Sequence, residues 1–262
     1  MPTSALQIAA TPRGKVSYTD TGSGSVRVLL HSLLTDRTAF DSVTGLLGGR
    51  VITLDLPGFG ESEPATPLVD DFALRVGALI DATGLDRVDL IGNGFGAFVA
   101  LGTAIHHPHL VRRLVLVGCG AVFPEPAQET FLGMADAVES GGMEAVIPVA
   151  LRRIFTEEYI EEHPEMAEER AAILRKTDPE AFITACLALN LLDHRALASS
   201  VTAPTLIVVG EEDQATPPAM AEELHGLIEG SSLVVMPGLA HAPQIQAPDE
   251  FAAAVRPFLE GQ

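Results

Sequence analysis

The segment from Leu90 to Ala97 constrains the fold more than any other part of the chain. Its sequence, Leu-Ile-Gly-Asn-Gly-Phe-Gly-Ala, joins a mainly apolar segment at residues 88–91 to a run of small and apolar residues that extends to about His106. The first part is typical of a buried strand and the second of a helix. Glycines at positions 92 and 96 would let the strand and the helix approach closely. The segment therefore predicts a strand, a strained turn and a helix in direct succession.

The turn has the spacing of a nucleophile elbow but lacks its central side chain. In the G-x-S-x-G elbow, the middle residue is held up for attack at the end of a strand. Glycines 92, 94 and 96 have that spacing here, and Gly94 stands at the centre. A phosphate-binding loop is excluded, because the G-x-G-x-x-G spacing and a following lysine are both absent. The meaning of Gly94 therefore depends on the rest of the chain.

Apolar segments alternate with segments of helical periodicity on both sides of this turn. We predict strands at residues 15–19, 26–30, 51–54, 88–91, 114–117, 205–209 and 232–235, and helices at residues 38–47, 70–83, 95–106, 217–228 and 248–259. This alternation indicates an α/β fold, with a mostly parallel central sheet covered by helices on both faces. A chain of 262 residues is long enough to build one large domain of this type.

The alternation stops between residues 123 and 199. No strong strand candidate occurs there, and helical stretches are separated by glycines and prolines. Apolar residues between the charged runs need a partner surface, which a helical cap lying over the sheet would provide. We therefore predict an α/β core at residues 1–122 and 200–262, with an inserted helical cap at residues 123–199.

Charge and cysteine content narrow the function classes. The formal net charge of −19 would repel phosphate backbones and anionic lipids, so we expect neither a nucleic-acid nor a membrane partner. Two cysteines do not suggest a disulfide framework, and no Cys/His spacing supports a metal site. We expect no cofactor. With no apolar run long enough to span a membrane and no signal peptide, we expect a cytoplasmic protein. The oligomeric state stays open.

Four predicted strands end in loops that carry candidate catalytic residues. These are His31-Ser32-Leu33, the elbow, Asp213 and His241. Sites in open parallel sheets form beyond the carboxyl ends of the strands. The order elbow, acid, histidine is that of the α/β-hydrolase triad. With the loops at 55–62, 210–217 and 238–248, the chain resembles the α/β-hydrolase superfamily over nearly its full length. Ser32-Leu33 and the segment at 215–218 resemble 3-oxoadipate enol-lactonases and small esterases. The elbow is also similar to that of the meta-cleavage-product (C–C bond) hydrolases.

The resemblance implies a role for each strand-end residue. His241 would be the general base, and Asp213 would orient and stabilise its imidazole. Glu211 and Glu212 lie in the same loop and compete for that role. The backbone N–H groups of Leu33 and Phe95 would form the oxyanion hole.

The remaining loop and cap residues concern the substrate pocket. His31 is interpreted as a structural brace of its loop. Ser32 stands where many relatives have glycine, so it would narrow the site or add a hydrogen-bond donor. A carboxylate-bearing lactone would need a cationic partner, for which Arg152, Arg153 and Arg195 are the candidates in the cap. The predicted substrate-binding residues are Ser32, Phe155, Phe182 and Arg152.

Gly94 leaves two explanations. Esterases and lactonases of this superfamily have serine at this position, so Gly94 could replace a parental serine in an inactivated variant. This is the interpretation we favour. The function is then hydrolysis of a small-molecule carboxylic ester or lactone by a Ser-His-Asp acyl-enzyme mechanism. Alternatives are a C–C bond hydrolase acting on vinylogous diketones, or a natural nucleophile-less protein that only binds a ligand.

Overall fold

A computed structural model describes residues 5–261, whose strands form one eight-stranded sheet. The strands are β1 (Gln7–Thr11), β2 (Gly14–Gly22), β3 (Val26–Leu30), β4 (Arg50–Leu54), β5 (Val88–Asn93), β6 (Val111–Val117), β7 (Thr205–Gly210) and β8 (Ser232–Met236). Their order across the sheet is β1-β2-β4-β3-β5-β6-β7-β8. The pairs β1–β2 and β2–β4 are antiparallel, and every other neighbouring pair is parallel. Six strands therefore end at the same edge of the sheet.

Helices cover both faces of the sheet, as the sequence predicts. The helices are α1 (Asp41–Leu47), α2 (Val69–Ala82), α3 (Phe95–His106), α4 (Glu125–Gly141), α5 (Ile147–Ile154), α6 (Glu157–Glu162), α7 (Pro164–Leu174), α8 (Pro179–Asn190), α9 (Arg195–Ala198), α10 (Pro218–Leu227), α11 (Pro243–Gln246) and α12 (Pro248–Glu260). Alternate strand residues supply two separate cores, because successive side chains point to opposite faces. Leu29 and Ile91 pack in the core that includes α1 and α12, whereas Val28 and Leu90 pack in the core that includes α2 and α3.

The central strand β5 runs directly into α3, and glycine is required on both sides of the junction. A Cβ atom on Gly92 would lie 2.3 Å from the carbonyl oxygen of Gly96. A Cβ atom on Gly96 would lie 2.2 Å from the carbonyl oxygen of Leu30 in β3. Both distances are far inside van der Waals contact, and both neighbours are backbone atoms. The predicted close approach of strand and helix is therefore confirmed.

Helices α4 to α9 follow β6 and precede β7, and we call residues 123–199 the helical insertion. Within it the described chain forms no strand, and its entry and exit are joined by an isolated bridge between Val122 and Asp193. Helix α4 packs along α8, and α8 also contacts α2. The domain division at 122/123 and 199/200 stays a prediction. Among residues 5–261, no helix has both the length and the apolar character needed to cross a membrane.

Candidate active site

The elbow between β5 and α3 has the strained backbone that its glycine spacing predicts. Gly94 has φ 53° and ψ −120°, a conformation that side-chain-bearing residues rarely adopt. Its N–H donates to the carbonyl oxygen of Val117 at the end of β6, at 2.9 Å. The turn therefore keeps the geometry that presents a nucleophile, although residue 94 has no side chain to present.

Asp213 and His241 meet beyond the ends of β7 and β8. The Nδ1 atom of His241 lies 2.9 Å from Oδ2 of Asp213, and both side chains are buried. The same carboxylate accepts the N–H groups of Ala215 and Thr216 at Oδ1, and the Thr216 hydroxyl at Oδ2. Since the carboxylate is an acceptor, Nδ1 carries the proton and Nε2 is left with a free lone pair. An imidazole held in this way can take a proton at Nε2.

The competing acids in the same loop do not reach the imidazole. Glu211 and Glu212 are both exposed, and the Glu211 carboxylate instead accepts the N–H of Gly238 at 3.1 Å. Asp213 is the carboxylate that the loop turns inward, because two backbone N–H groups and one hydroxyl fix it there.

Further residues fix the position of the His241 ring and backbone. The amide of Asn93 donates to the His241 carbonyl oxygen at 2.8 Å, and Gln244 donates to Asn93 at 2.9 Å. On the other side, a Cβ atom on Gly118 would lie 2.9 Å from Cε1 and from Nδ1 of the ring. Gly118, Thr216 and Gln244 were not predicted as site residues from the sequence. Gly118 directly follows β6, and Thr216 and Gln244 lie close along the chain to Asp213 and His241, which was the only signal for them.

The loop after β3 is held rigidly, so Ser32 and Leu33 have fixed positions. His31 donates from Nδ1 to the carbonyl oxygen of Ser32 at 2.8 Å and accepts the N–H of Leu56 at Nε2, at 3.0 Å. Burial lowers the pKa of His31, which keeps the ring neutral, as this pair of hydrogen bonds requires. The N–H and the hydroxyl of Thr35 also donate to the Ser32 carbonyl oxygen. His31 is thus a brace, as the sequence predicts.

Two backbone N–H groups near Gly94 have no protein acceptor among the residues that the structure describes. One belongs to Leu33, and the other to Phe95, the first residue of α3. The first N–H groups of a helix have no partner within it and point toward any ligand placed there. Both residues line the same cavity, so their N–H groups are available to an oxygen atom of a bound molecule.

A small, mainly apolar cavity opens between the sheet edge and the helical insertion. Its core-side lining includes Ser32, Leu33, Gly94, Phe95, Thr216 and His241, and its insertion-side lining includes Phe131, Met134, Arg153 and Leu189. Five of the predicted site residues therefore meet at one cavity, and Asp213 lies directly behind His241. An apolar cavity with a few convergent polar groups is the usual form of a small-molecule site.

The sequence model of the alpha/beta hydrolase family matches residues 28–254. The chain belongs to this family. A pimeloyl-[acyl-carrier protein] methyl ester esterase of Neisseria meningitidis is 33% identical over 247 residues, which are 89% of this chain and 93% of that protein. A 2-hydroxy-6-oxo-2,4-heptadienoate hydrolase of Pseudomonas putida is 31% identical over 264 residues, which are 93% of this chain and 92% of that protein.

The structural comparison gives the same family. The crystal structure of the enol-lactonase from Burkholderia xenovorans superposes with a TM-score of 0.92 at 26% identity, over 97% of this chain and 100% of that chain. These similar proteins are hydrolases, and this alpha/beta hydrolase family member has their fold over nearly all of its length.

One predicted pocket residue of this family member lies outside the cavity. Arg152 is exposed and lines a separate surface depression, together with Glu157 and Glu161. Arg153 lines the cavity instead. Consecutive residues on a helix point roughly 100° apart, so only one of two adjacent arginines can face inward. The prediction of Arg152 as a cavity residue is therefore replaced by Arg153.

The two predicted aromatic pocket residues also lie outside the cavity lining. Phe155 and Phe182 are almost fully buried in the core that the insertion shares with α2 and α3. Phe155 stacks on Tyr159, with ring centroids 5.2 Å apart. These rings hold the insertion onto the sheet layer, because burying a large aromatic side chain is more favourable than exposing it at a cavity wall. The aromatic residues of the cavity wall are Phe95, Phe98, Phe123 and Phe131.

Neither cysteine offers an alternative nucleophile. Cys119 and Cys186 are buried, and burial raises the pKa of both thiols, that of Cys186 to about 12. A thiol in this state is inert. Among residues 5–261, no group of three His, Cys, Asp or Glu side chains is placed to hold a metal ion.

Proposed function

We propose that this chain carries the site of a carboxylic ester or lactone hydrolase in which residue 94 does not supply the nucleophile. The observation that carries the proposal is the direction of His241. Its Nδ1 is bound to Asp213, and its Nε2 lies 2.4 Å from the position that a Cβ atom of residue 94 would take. A base aimed at the centre of an elbow serves acyl transfer from a hydroxyl placed there.

The surrounding groups fit each step of that reaction. His241 would take the proton of the attacking hydroxyl at Nε2 and return it to the leaving alcohol, while Asp213 stabilises the imidazolium. The N–H groups of Leu33 and Phe95 would bind the oxygen that becomes negative in the tetrahedral intermediate. With serine at position 94, these groups make a complete acyl-enzyme site. With Gly94, hydrolysis through the elbow falls by several orders of magnitude.

The similar proteins support the substrate class. An esterase at 33% identity and an enol-lactonase structure with a TM-score of 0.92 both act on acyl–oxygen bonds, as their names state. The relative named as a 2-hydroxy-6-oxo-2,4-heptadienoate hydrolase, at 31% identity, favours a second candidate, hydrolysis of a C–C bond in a vinylogous diketone. Both candidates need the same base and the same oxygen-binding N–H groups, so the substrate panel decides between them.

The test is the Gly94→Ser protein, assayed on p-nitrophenyl esters, lactones and vinylogous diketones. We expect its hydrolysis of an ester or lactone to exceed that of the Gly94 protein by at least about 10³-fold, with a stoichiometric burst of the leaving group. Gly94→Ala is the matched control, because it adds the same Cβ atom without a hydroxyl and should show no gain.

A side chain at position 94 needs space now taken by the ends of two side chains, His241 Nε2 at 2.4 Å and Ser32 Oγ at 2.5 Å. The double variant Gly94→Ser/Ser32→Gly removes the part of that crowding that comes from Ser32 and is assayed in parallel. If both proteins fold and neither hydrolyses any ester or lactone of the panel, the proposal is wrong. Stoichiometric binding of a small apolar ligand would then favour a protein that binds without turnover.

A further inference from the structure

Among the residues that the structure describes, Ser32 carries the hydroxyl that contacts Nε2 of His241, the ring nitrogen that is not bound to Asp213. Its Oγ lies 3.5 Å from Nε2, and the residue is 3% exposed. This separation is at the outer limit of a hydrogen bond. Catalytic hydrogen bonds are often long in unliganded sites and shorten when substrate binds. Ser32 also lines the cavity, so its hydroxyl faces both the base and the space for a ligand.

We propose that Ser32 supplies the nucleophile that Gly94 lacks, which makes Ser32, His241 and Asp213 the working triad of this chain. The inference rests on the proposed function, since it names the attacking group of that same site.

The missing side chain at position 94 is what makes this contact possible. The Cβ position of residue 94 lies 2.5 Å from Ser32 Oγ and 2.4 Å from His241 Nε2. A methyl or hydroxymethyl group there would overlap both atoms and separate them. Gly94 therefore does more than remove one hydroxyl, because it opens a direct path from the base to the hydroxyl of Ser32.

The backbone holds Ser32 in a suitable position for attack. Its carbonyl oxygen accepts hydrogen bonds from His31 and from both donors of Thr35, so the side chain projects from a fixed main chain. The residue that follows it, Leu33, contributes one of the two N–H groups that would bind the oxyanion. Phe95 likewise directly follows position 94 along the chain. An acyl group attacked by Ser32 would thus have its oxygen beside the same pair of donors.

The other hydroxyl near the ring does not compete. Thr216 donates to Asp213 at 2.7 Å, and its oxygen lies 3.2 Å from Nδ1, on the side of the imidazole that already carries a proton. Nδ1 cannot accept the Thr216 proton while it donates to Asp213. Ser32 is the hydroxyl placed to lose its proton to Nε2.

The reaction then follows a balanced course. Ser32 Oγ attacks the acyl carbon as its proton moves to His241 Nε2, and the tetrahedral oxyanion is bound by the N–H groups of Leu33 and Phe95. The carbon–oxygen bond to the leaving alcohol breaks, and the alcohol takes the proton from Nε2. Water attacks the Ser32 ester with the same proton transfers, which releases the carboxylic acid and restores the Ser32 hydroxyl.

Labelling of the Gly94 protein with diisopropyl fluorophosphate tests the proposal. We expect one diisopropylphosphoryl group per chain on the tryptic peptide of residues 28–37, in which Ser32 is the one serine. Ser32→Ala should lose the adduct and lower p-nitrophenyl acetate hydrolysis by at least about 10-fold. Ser32→Cys should still be acylated, now as a thioester. Ser23→Ala, a change at an exposed serine, is the matched control and should keep both properties.

Two results would overturn the proposal: no adduct on residues 28–37, or unchanged hydrolysis by a folded Ser32→Ala protein, which would indicate water activated directly by His241. Failure of the proposed function looks different. If Gly94→Ser hydrolyses esters while Ser32 is never labelled, only the role of Ser32 is wrong. If neither protein reacts, the ester-hydrolase proposal fails as well.

Discussion

At the residue scale, two glycines determine where the His241 imidazole lies. The ring fills the space that side chains at positions 94 and 118 would otherwise take, since their Cβ atoms would lie 2.4 Å from Nε2 and 2.9 Å from Nδ1. Both glycines have a positive φ, at 53° and 60°. Gly94 faces the cavity side of the ring and Gly118 faces its Asp213 side, so the two positions have different effects on chemistry.

We expect Gly118→Ala to impair catalysis through the position of the ring. In a Gly94→Ser background, a methyl group at position 118 pushes the imidazole out of line with Asp213, and a displacement of this size lowers kcat by about 10²-fold. Gly84→Ala is the matched control, because Gly84 has a similar φ of 68° and no atom near its Cβ position. Both changes should cost about 1–3 kcal/mol of unfolding free energy from backbone strain. Equal kcat values for the two variants would contradict this prediction.

Residues of the site differ in how well the sequence predicts them. Asp213 and His241 could be placed because each follows a recognisable strand, and parallel strands end at one edge. Gly118 and Thr216 could not, because their importance lies in contacts with a ring from another loop. The contact of Ser32 with His241 is of the same kind, since 209 residues separate the two positions along the chain.

At the element scale, helix α5 brings a cation to an otherwise apolar wall. Ile147, Ala150 and Ile154 form its buried face, and Arg153 lies beside Ile154 at the edge of that face. The Arg153 guanidinium carbon lies 5.7 Å from the centre of the Phe131 ring, and burial lowers the pKa of this side chain. Among the described residues it forms no salt bridge, so its charge is available to a ligand.

We expect Arg153 to select substrates that carry a carboxylate. In the Gly94→Ser background, Arg153→Met should raise KM for an ester with a distal carboxylate by at least about 10-fold, equivalent to about 1.4 kcal/mol. KM for the uncharged ester of the same length should change little. Arg152→Met is the control, because that side chain lies outside the cavity. An equal effect of Arg153→Met on both esters would show that the residue acts by packing alone.

Elements with strong patterns were predicted well, and a weak one was missed. Helix α3 begins at Phe95 and ends at His106 as its apolar run indicates, since nearly all of it is buried. Strand β1 was not predicted, because it lies at the sheet edge and much of it is exposed. The positions of side chains were hardest to predict in the helical insertion. Its aromatic residues are divided between core and cavity by tertiary packing, which periodicity alone does not reveal.

At the scale of the whole molecule, the layered core encloses titratable groups as well as apolar ones. His31 is completely buried between the ends of β3 and β4, where it accepts the N–H of Leu56 and must be neutral. Burial also lowers the pKa of His194, which lies at the end of the insertion and contacts Asp70 of α2 at 3.2 Å. Folding therefore holds two imidazoles uncharged that would be protonated more readily in the unfolded chain.

This linkage predicts a loss of stability on acidification. Because the folded-state pKa of His31 lies below the ordinary value of 6.5, the unfolded chain binds a proton first as the pH falls through that value. Stability is therefore complete above 6.5 and declines below it, with a slope of up to about 1.4 kcal/mol per pH unit for each such group.

Urea unfolding between about pH 7 and about pH 5 measures that slope. His31→Gln should be less stable at neutral pH, by about 1–3 kcal/mol, because a buried hydrogen-bonded group is lost, but its slope should be shallower. His225→Gln, a change at an exposed histidine on α10, is the control for the slope. A slope that is equally steep in the His31→Gln protein would show that other groups are responsible.

The place where the helical insertion leaves the sheet has a consequence for the evolution of specificity. Strands β6 and β7 are hydrogen-bonded neighbours, and the bridge between Val122 and Asp193 brings the start of the helical insertion close to its last part. A segment that departs and returns at adjacent points can lengthen, shorten or be exchanged without shifting any strand register. Phe131, Met134, Arg153 and Leu189 reach the cavity from this segment, whereas His241 reaches it from the loop after β8, with Asp213 behind it. Part of the cavity wall can therefore change without disturbing the contact between Asp213 and His241, by recombination of one contiguous stretch of gene.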